Sequence, residues 1–451
     1  MTIRIRNFTR KLAVLLAMAF GATATKTEGG SLDVQGDLSA SNVTAQSLTL
    51  GGVTQSNWPA GGGTGSQGYQ CVVVAGGTND VQCGNNLLAA YATATTLNPT
   101  SSNRVAVLIP PGNYNLGATG LVMSTSYVDL IGLVPAQMTT KQVFTDSAGR
   151  VRAETVANVQ CPVLVYASAS AGTIVQSVDY VRIESMILTN TGSGFAYNPS
   201  VNGANTLLRH VSMSSMLGSQ QYAGQYVDCV GGDYAFGGLT GWPNENWDQE
   251  AGIASGAFID CVGGVASFAG LGITSGRFIN CTGGDGSFSG DNDLSASGTY
   301  IDCVGGDMSF AGGGIASGTF RGCVGGDDSF GGGMGEASGT FIDCVGGDYS
   351  FGGGDPWQGQ SAHADGTFID CVGGDGSFGG GDAAYLDDTA KLRHCKGGDG
   401  SFGNFQMASD DFNYNVGGTN TFLMLPQLPT TTNGLPSGTV YNNGGALKVM
   451  P

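Results

Sequence analysis

Between Gln225 and Phe402 the chain repeats one short pattern of apolar and polar positions. The unit Gly339-Thr-Phe-Ile-Asp-Cys-Val-Gly-Gly-Asp-Tyr-Ser-Phe-Gly352 returns, slightly altered, from Gly318 and again from Gly366. Cys229, Cys261, Cys281, Cys303, Cys323, Cys344, Cys371 and Cys395 mark its register, at successive spacings of 32, 20, 22, 20, 21, 27 and 24. A floor of 20 to 22 with longer intervals carrying inserts is the signature of a solenoid, one coil per unit with loops at its edge. Neighbouring residues of a strand face opposite ways. Phe341 and its equivalents Phe258, Phe278, Tyr300, Phe320 and Phe368 therefore point inward, and Thr340 and Ile342 outward. Asp343, like Asp228, Asp260, Asn280, Asp302 and Asp370, falls where the chain bends, a place that suits Asp and Asn because they tolerate left-handed backbone angles. Cys344 then re-enters the core, and Ser350-Phe351 supplies a second inward ring. No run without glycine is long enough for a helix here.

The register continues upstream in weaker form, since Leu207-Leu-Arg-His-Val211 aligns with Lys391-Leu-Arg-His-Cys395 and Arg182-Ile-Glu-Ser-Met186 fits one coil earlier. At the front, Ala75-Gly-Gly-Thr-Asn-Asp80 precedes a helix-like stretch over Asn86–Ala92, followed by Val105-Ala-Val-Leu-Ile-Pro-Pro-Gly-Asn-Tyr114 and Val128-Asp-Leu-Ile-Gly132. This entry resembles that of the right-handed parallel β-helix (pectin-lyase-like) superfamily, which includes pectate lyases and phage tailspikes. The resemblance spans roughly residues 70 to 403 and implies an all-β solenoid whose first coil is capped by a short helix. It says little about activity, because fold does not carry function. The organisation expected is a leader over 1–24, an N-terminal β-rich attachment segment with a glycine-rich hinge over 25–66, and the β-helix over 67–403. Its coils are degenerate to about 224 and glycine-rich over 225–403. A C-terminal cap over 404–425 and a tail over 426–451 follow. Residues 31–58 resemble attachment segments of phage fibres and bacterial surface proteins, and Leu435–Val449 resembles short C-terminal β-units of phage structural proteins.

Composition refines this picture. Glycine accounts for 79 of 451 residues and charged residues for 12%, yet 41% are hydrophobic, too many for a flexible linker. The net charge of −18 without a basic stripe excludes nucleic acid as a natural partner. Arg4, Arg6, Arg10 and Lys11 precede the apolar run Leu12–Phe20 and then Ala22-Thr-Ala24, the layout of an export signal. Nine apolar residues are too few to span a bilayer, and no later segment reaches that length. The expected location is thus secreted or cell-surface, with an extracellular polysaccharide or neighbouring copies of the chain as partners.

Candidate chemistry is sparse. Stacked cysteines about 4.8 Å apart with parallel side chains do not suit a disulfide, whose β-carbons lie about 3.8 Å apart and face each other. The ladder is therefore read as buried thiols, leaving Cys71 and Cys83 as the one candidate disulfide. Asp233, Asp285, Asp307, Asp327, Asp348, Asp375 and Asp399 form an acidic column after the paired glycines, broken by Val265. Like charges at about 4.8 Å repel by about 0.9 kcal/mol even in water. Calcium along Asp285, Asp307, Asp327, Asp348, Asp375 and Asp399 is one remedy, and a solvated acidic ridge is the simpler alternative. Trp242, Trp247 and Trp357 are candidate sugar platforms, and Glu245, Asp248 and Glu250 the best acids for catalysis. His363 is read as part of an insert, and no base is found beside an irregular acid cluster. The function expected first is a structural or adhesive surface protein. The alternative is a polysaccharide lyase or glycoside hydrolase of the same fold.

Overall fold

A computed structural model describes residues 68–402, except 135, 202, 214–220, 238–251, 291–293, 355–361, 382–383 and 388, together with short strands near both ends. The end strands are Thr2–Arg6, Thr23–Lys26, Ser31–Gln35, Leu48–Leu50 and Val53–Gln55 at the front, and Val440–Asn443 and Ala446–Val449 at the rear. The expected hinge at 61–65 and cap at 404–425 lie outside the described residues, as does most of the leader. The chain divides into two compact units, one of residues 1–143 and 153–283, the other of 144–152 and 284–451.

In the first unit, strands Gly68–Val73, Asn103–Ile109, Val128–Gly132, Arg182–Asn190, Leu207–Met213, Gln225–Val227, Ala257–Ile259 and Arg277–Ile279 pair in parallel in chain order. Other faces are built the same way: Leu121–Met123, Gly172–Gln176 and Phe195–Pro199 form one parallel sheet. A helix, α1 (Asp80–Thr95), opens the stack. Asn79 caps it by accepting the Gln82 N–H at 2.9 Å, and Leu87, Ala90, Tyr91 and Ala94 are buried. The helix starts six residues before the stretch that the apolar pattern suggested and ends three residues after it, and the cap at Asn79 fixes its front. Gly84 is required, as a Cβ there would meet the Asn115 carbonyl oxygen at 1.8 Å.

In the second unit the first sheet stacks Thr299–Ile301, Thr319–Arg321, Thr340–Ile342, Thr367–Ile369 and Lys391–Arg393. A second sheet stacks Ser295–Ala296, Ile315–Ala316, Glu336–Ala337, His363–Ala364 and Tyr385–Leu386. Single bridges link Val304, Val324, Val345, Val372 and Lys396 on a third side. Phe320 pairs with Phe341, so a coil without an insert takes about 21 residues. Each unit is a right-handed parallel β-helix.

Two aromatic ladders fill the coils. Tyr300, Phe320, Phe341 and Phe368 stack with ring centroids 4.6 to 4.9 Å apart. Phe310, Phe330, Phe351 and Phe378 stack at 4.8 Å, and the two ladders meet edge to face, as Phe341 meets Phe351 at 5.6 Å. The second ladder carries a cost, since those four phenylalanines have φ of 54° or 55°, worth roughly 1–2 kcal/mol each in an L-residue. Full burial of the ring contributes about 1.5–3 kcal/mol and each stacked pair about 0.5–1.5 kcal/mol more, so packing prevails.

The paired glycines have separate duties. A Cβ on Gly346 would lie 2.3 Å from Ser350 Oγ, the seryl group that closes the turn by donating to the Gly347 carbonyl at 2.8 Å. A Cβ on Gly347 would lie 2.1 Å from the Asp327 carboxylate of the preceding coil.

Candidate functional site

All eleven cysteines are thiols, and the eight of the ladder are buried. Cys344 Sγ, for example, donates to the Phe320 carbonyl of the preceding coil and to the Ile342 carbonyl, both at 3.4 Å. Burial pushes the Cys229, Cys261, Cys323 and Cys371 thiols well above their ordinary value, which makes them poor nucleophiles. Cys71, packed with Ala106 and Leu108, and Cys83 on α1 are also thiols in this structure. Burial raises Cys71 to about 11.

The acidic column has a structural occupation. Asp327 N–H donates to Asp307 Oδ1 at 3.0 Å, Asp348 N–H to Asp327 Oδ1 at 2.8 Å, Asp375 N–H to Asp348 Oδ1 at 2.8 Å and Asp399 N–H to Asp375 Oδ1 at 2.7 Å. Asp307 N–H likewise reaches Asp285 Oδ1 at 3.1 Å, and in the first unit Val265 N–H reaches Asp233 Oδ1 at 2.9 Å. One oxygen of each of these acceptors therefore serves the next coil, which offsets the like-charge repulsion. Among the described residues no three His, Cys, Asp or Glu side chains converge as metal ligands.

Each unit has a second column, of corner positions with left-handed backbone: Asp228, Asp260 and Asn280 in the first unit, and Asp302, Asp343 and Asp370 in the second. Strands Gln137–Thr145 and Val151–Gln160 pair with each other as a ribbon, and their side chains meet corner acids within each unit. In the first unit Thr139 Oγ1 donates to Asp228, and Lys141 Nζ lies 3.1 Å from Asp260 Oδ1. In the second unit both Arg150 and Arg152 hold the Asp343 carboxylate, Arg152 at 3.0 Å, and Arg152 also donates to the Asp343 carbonyl at 2.7 Å. Asp146 braces the two guanidiniums, 3.2 Å from Arg150 Nε and 2.9 Å from Arg152 Nε. The ribbon went unseen in the sequence, although residues 137–160 leave the coil pattern and carry three of the chain's 17 basic residues.

The group with chemical potential lies on the second sheet of the second unit. Glu336 is opposite His363, and His363 opposite Tyr385, on adjacent rungs. Their strand neighbours Ala337, Ala364 and Leu386 are buried, so these three side chains face outward. The His363 and Tyr385 rings lie 4.0 Å apart, and Tyr385 is 40% exposed. Two residues further along each rung come Ser338, Asp365 and Asp387, again outward of buried neighbours. Asp387 N–H donates to the Ala364 carbonyl at 2.9 Å, which sets the two aspartates on successive rungs, and rungs of a sheet are spaced by about 4.8 Å. Asp387 Oδ1 accepts the N–H and Oγ1–H of Thr389, both at 3.0 Å, while Asp365 Oδ1 is buried with no hydrogen-bond partner. Desolvation, then Glu336, then Asp387 push the Asp365 carboxyl above the usual carboxylate range, against its own N–H and His363.

This corrects the sequence reading of His363, which stands on a strand rather than in an insert, beside three acids. Aligning His363-Ala-Asp-Gly366 with Glu336-Ala-Ser-Gly339 would have revealed it; the length of the preceding insert hid the register. Trp242, Trp247, Trp357, Glu245, Asp248 and Glu250 lie outside the described residues.

No family model matches the sequence, and no curated protein matches it. Among solved structures the chain is similar to the tailspike protein gp49 from Acinetobacter baumannii bacteriophage Fri1, a capsular polysaccharide depolymerase, at 9% identity and a TM-score of 0.34. That likeness covers 76% of this chain and 60% of the tailspike, so the chain spans about three fifths of its length. It is also similar to pectin methylesterase PemA from Erwinia chrysanthemi at 10% identity and a TM-score of 0.18, over 74% of this chain and 86% of that one. Among the described residues no helix is long and apolar enough to cross a membrane.

Proposed function

We propose that this chain is an exported or surface-borne β-helix that cleaves a polysaccharide, with Asp365 as general acid and Asp387 as its carboxylate partner. The observation that carries the proposal is the placement of Asp365 and Asp387 on successive outward rungs beside Glu336, His363 and an exposed Tyr385. Rungs about 4.8 Å apart allow the separation of about 5–5.5 Å between carboxyl groups of retaining glycosidases, in which one carboxyl protonates the leaving oxygen and the other attacks the anomeric carbon. Asp365 gives its proton to the glycosidic oxygen as the C–O bond breaks, and Asp387 forms the covalent bond to C1. Water then displaces Asp387, surrendering a proton to Asp365. A carboxyl raised by burial beside one that accepts two hydrogen bonds is the division of labour such chemistry needs. Glu336 and His363 position sugar hydroxyls, and Tyr385 offers a ring face.

The second reading, a structural or adhesive protein, is favoured by the regular ladders that make up most of the second unit. One experiment separates the two. Reducing-end release is measured over a panel of polysaccharides with the full chain and with Asp365→Asn and Asp387→Asn. Catalysis predicts a loss of at least about 10²-fold in both variants with unchanged melting temperature. Binding without release by the unmodified protein would leave the adhesive role.

A further inference from the structure

Building on that reading of the patch, we infer that its substrate is a polysaccharide without carboxylate, sulfate or phosphate groups. Among the described residues the strands of the second sheet carry no Lys or Arg to meet an anionic sugar. Arg321, Lys391 and Arg393 stand on the first sheet, where Lys391 pairs with Thr367 two residues after Asp365. Arg150 and Arg152 are engaged by Asp146 and Asp343. Among the described residues of the second sheet His363 is the one basic side chain, and it is set against Glu336, Asp365 and Asp387.

What the sheet offers instead is neutral. Towards the earlier coils the column of Asp365 continues as Ser338, Ser317 and Ser297, the last two exposed. The column of His363 continues through Glu336 to Ile315, which is 40% exposed. Hydroxyls on one column and an apolar side chain on the next match the hydroxyl edges and C–H faces of uncharged sugars. A glycan lying along these rungs meets hydrogen-bonding partners spaced about 4.8 Å apart. A uronate or sulfate on each sugar would instead be held within a few ångströms of Glu336, Asp365 and Asp387, where each pair repels and the rungs of the second sheet supply no Lys or Arg.

The test uses the full chain for cleavage and its Asp365→Asn variant for binding, each against neutral glucans, mannans and galactans and against polygalacturonate and chondroitin sulfate. The expected result is cleavage within the neutral set, with polyanions retained at least about tenfold more weakly at low salt and the gap narrowing at high salt. Glu336→Gln should narrow it too. A polyanion cleaved as fast as the best neutral polymer would overturn this specificity and leave the catalytic reading standing. Release from no polymer at all would overturn the catalytic reading, and the inference with it.

Discussion

Replacing Gly347 by alanine tests the close approach that lets one coil sit on the next. The new Cβ would lie 2.1 Å from Asp327 Oδ1, 2.7 Å from Asp327 N and 2.9 Å from the Gly326 carbonyl carbon. The carboxylate can swing aside only by giving up the Asp348 N–H at 2.8 Å, a surface hydrogen bond worth about 1 kcal/mol. The backbone atoms cannot swing, so the coils must part locally, an overpacking cost of roughly 1–3 kcal/mol. Together these give a destabilisation of about 2–4 kcal/mol. Ordinarily, Gly→Ala at a compatible position stabilises by about 0.4–1 kcal/mol by restricting the unfolded chain. Gly76 provides that control, since a Cβ placed there would have no heavy atom within 4 Å and its φ is not left-handed. Urea melts followed by far-UV circular dichroism should therefore move in opposite directions for Gly347→Ala and Gly76→Ala. Asp327→Ala should also cost less in the Gly347→Ala background than alone, because the hydrogen bond is already lost. If Gly347→Ala proves as stable as Gly76→Ala, the spacing of the coils does not depend on the bare glycine.

Three further outcomes are expected. Alkylation of the native, unreduced protein leaves Cys303, Cys323 and Cys344 unlabelled, and unfolding without reductant exposes all three; recovery of a disulfide among them would contradict the stacked register. Chelation by EGTA leaves the melting temperature unchanged, because each Oδ1 in the Asp285–Asp375 column already accepts an N–H; a clear fall would show a cation holding the column. At Asp146, desolvation pushes the carboxyl up, but the Arg150 N–H and the two guanidiniums outweigh it and hold it below its ordinary value of 3.8. A depressed folded value contributes stability that is present above the unfolded value and is lost as pH falls through the folded one. Hydrogen exchange over residues 144–152, corrected for intrinsic rates, should thus show the ribbon docked at mildly acidic pH and released only below about pH 4. Release near pH 6 would place control elsewhere.

The coil was legible in the sequence because its determinants are local and periodic. Alternation sets Phe341 inward, the bend needs a residue such as Asp343 that accepts positive φ, and stacking follows when each unit repeats its neighbour. The helix was legible by its apolar residues, though not in its start, which Asn79 decides through a cap. The chemistry of the Asp327 ladder was not, since alternation places a carboxylate at the surface without saying that the N–H of Asp348, a coil away, needs it. The ribbon over 137–160 lay beyond reach for the same reason: Arg152 and Asp343 are 191 residues apart, and only folding makes them partners. His363, Asp365 and Asp387 sit between inserts of unequal length, so their common face depends on which residues loop out. Period-two alternation fixed the inside and outside of each coil in the chain itself; which outward groups meet across coils is a long-range matter of register, and the tertiary structure decided it.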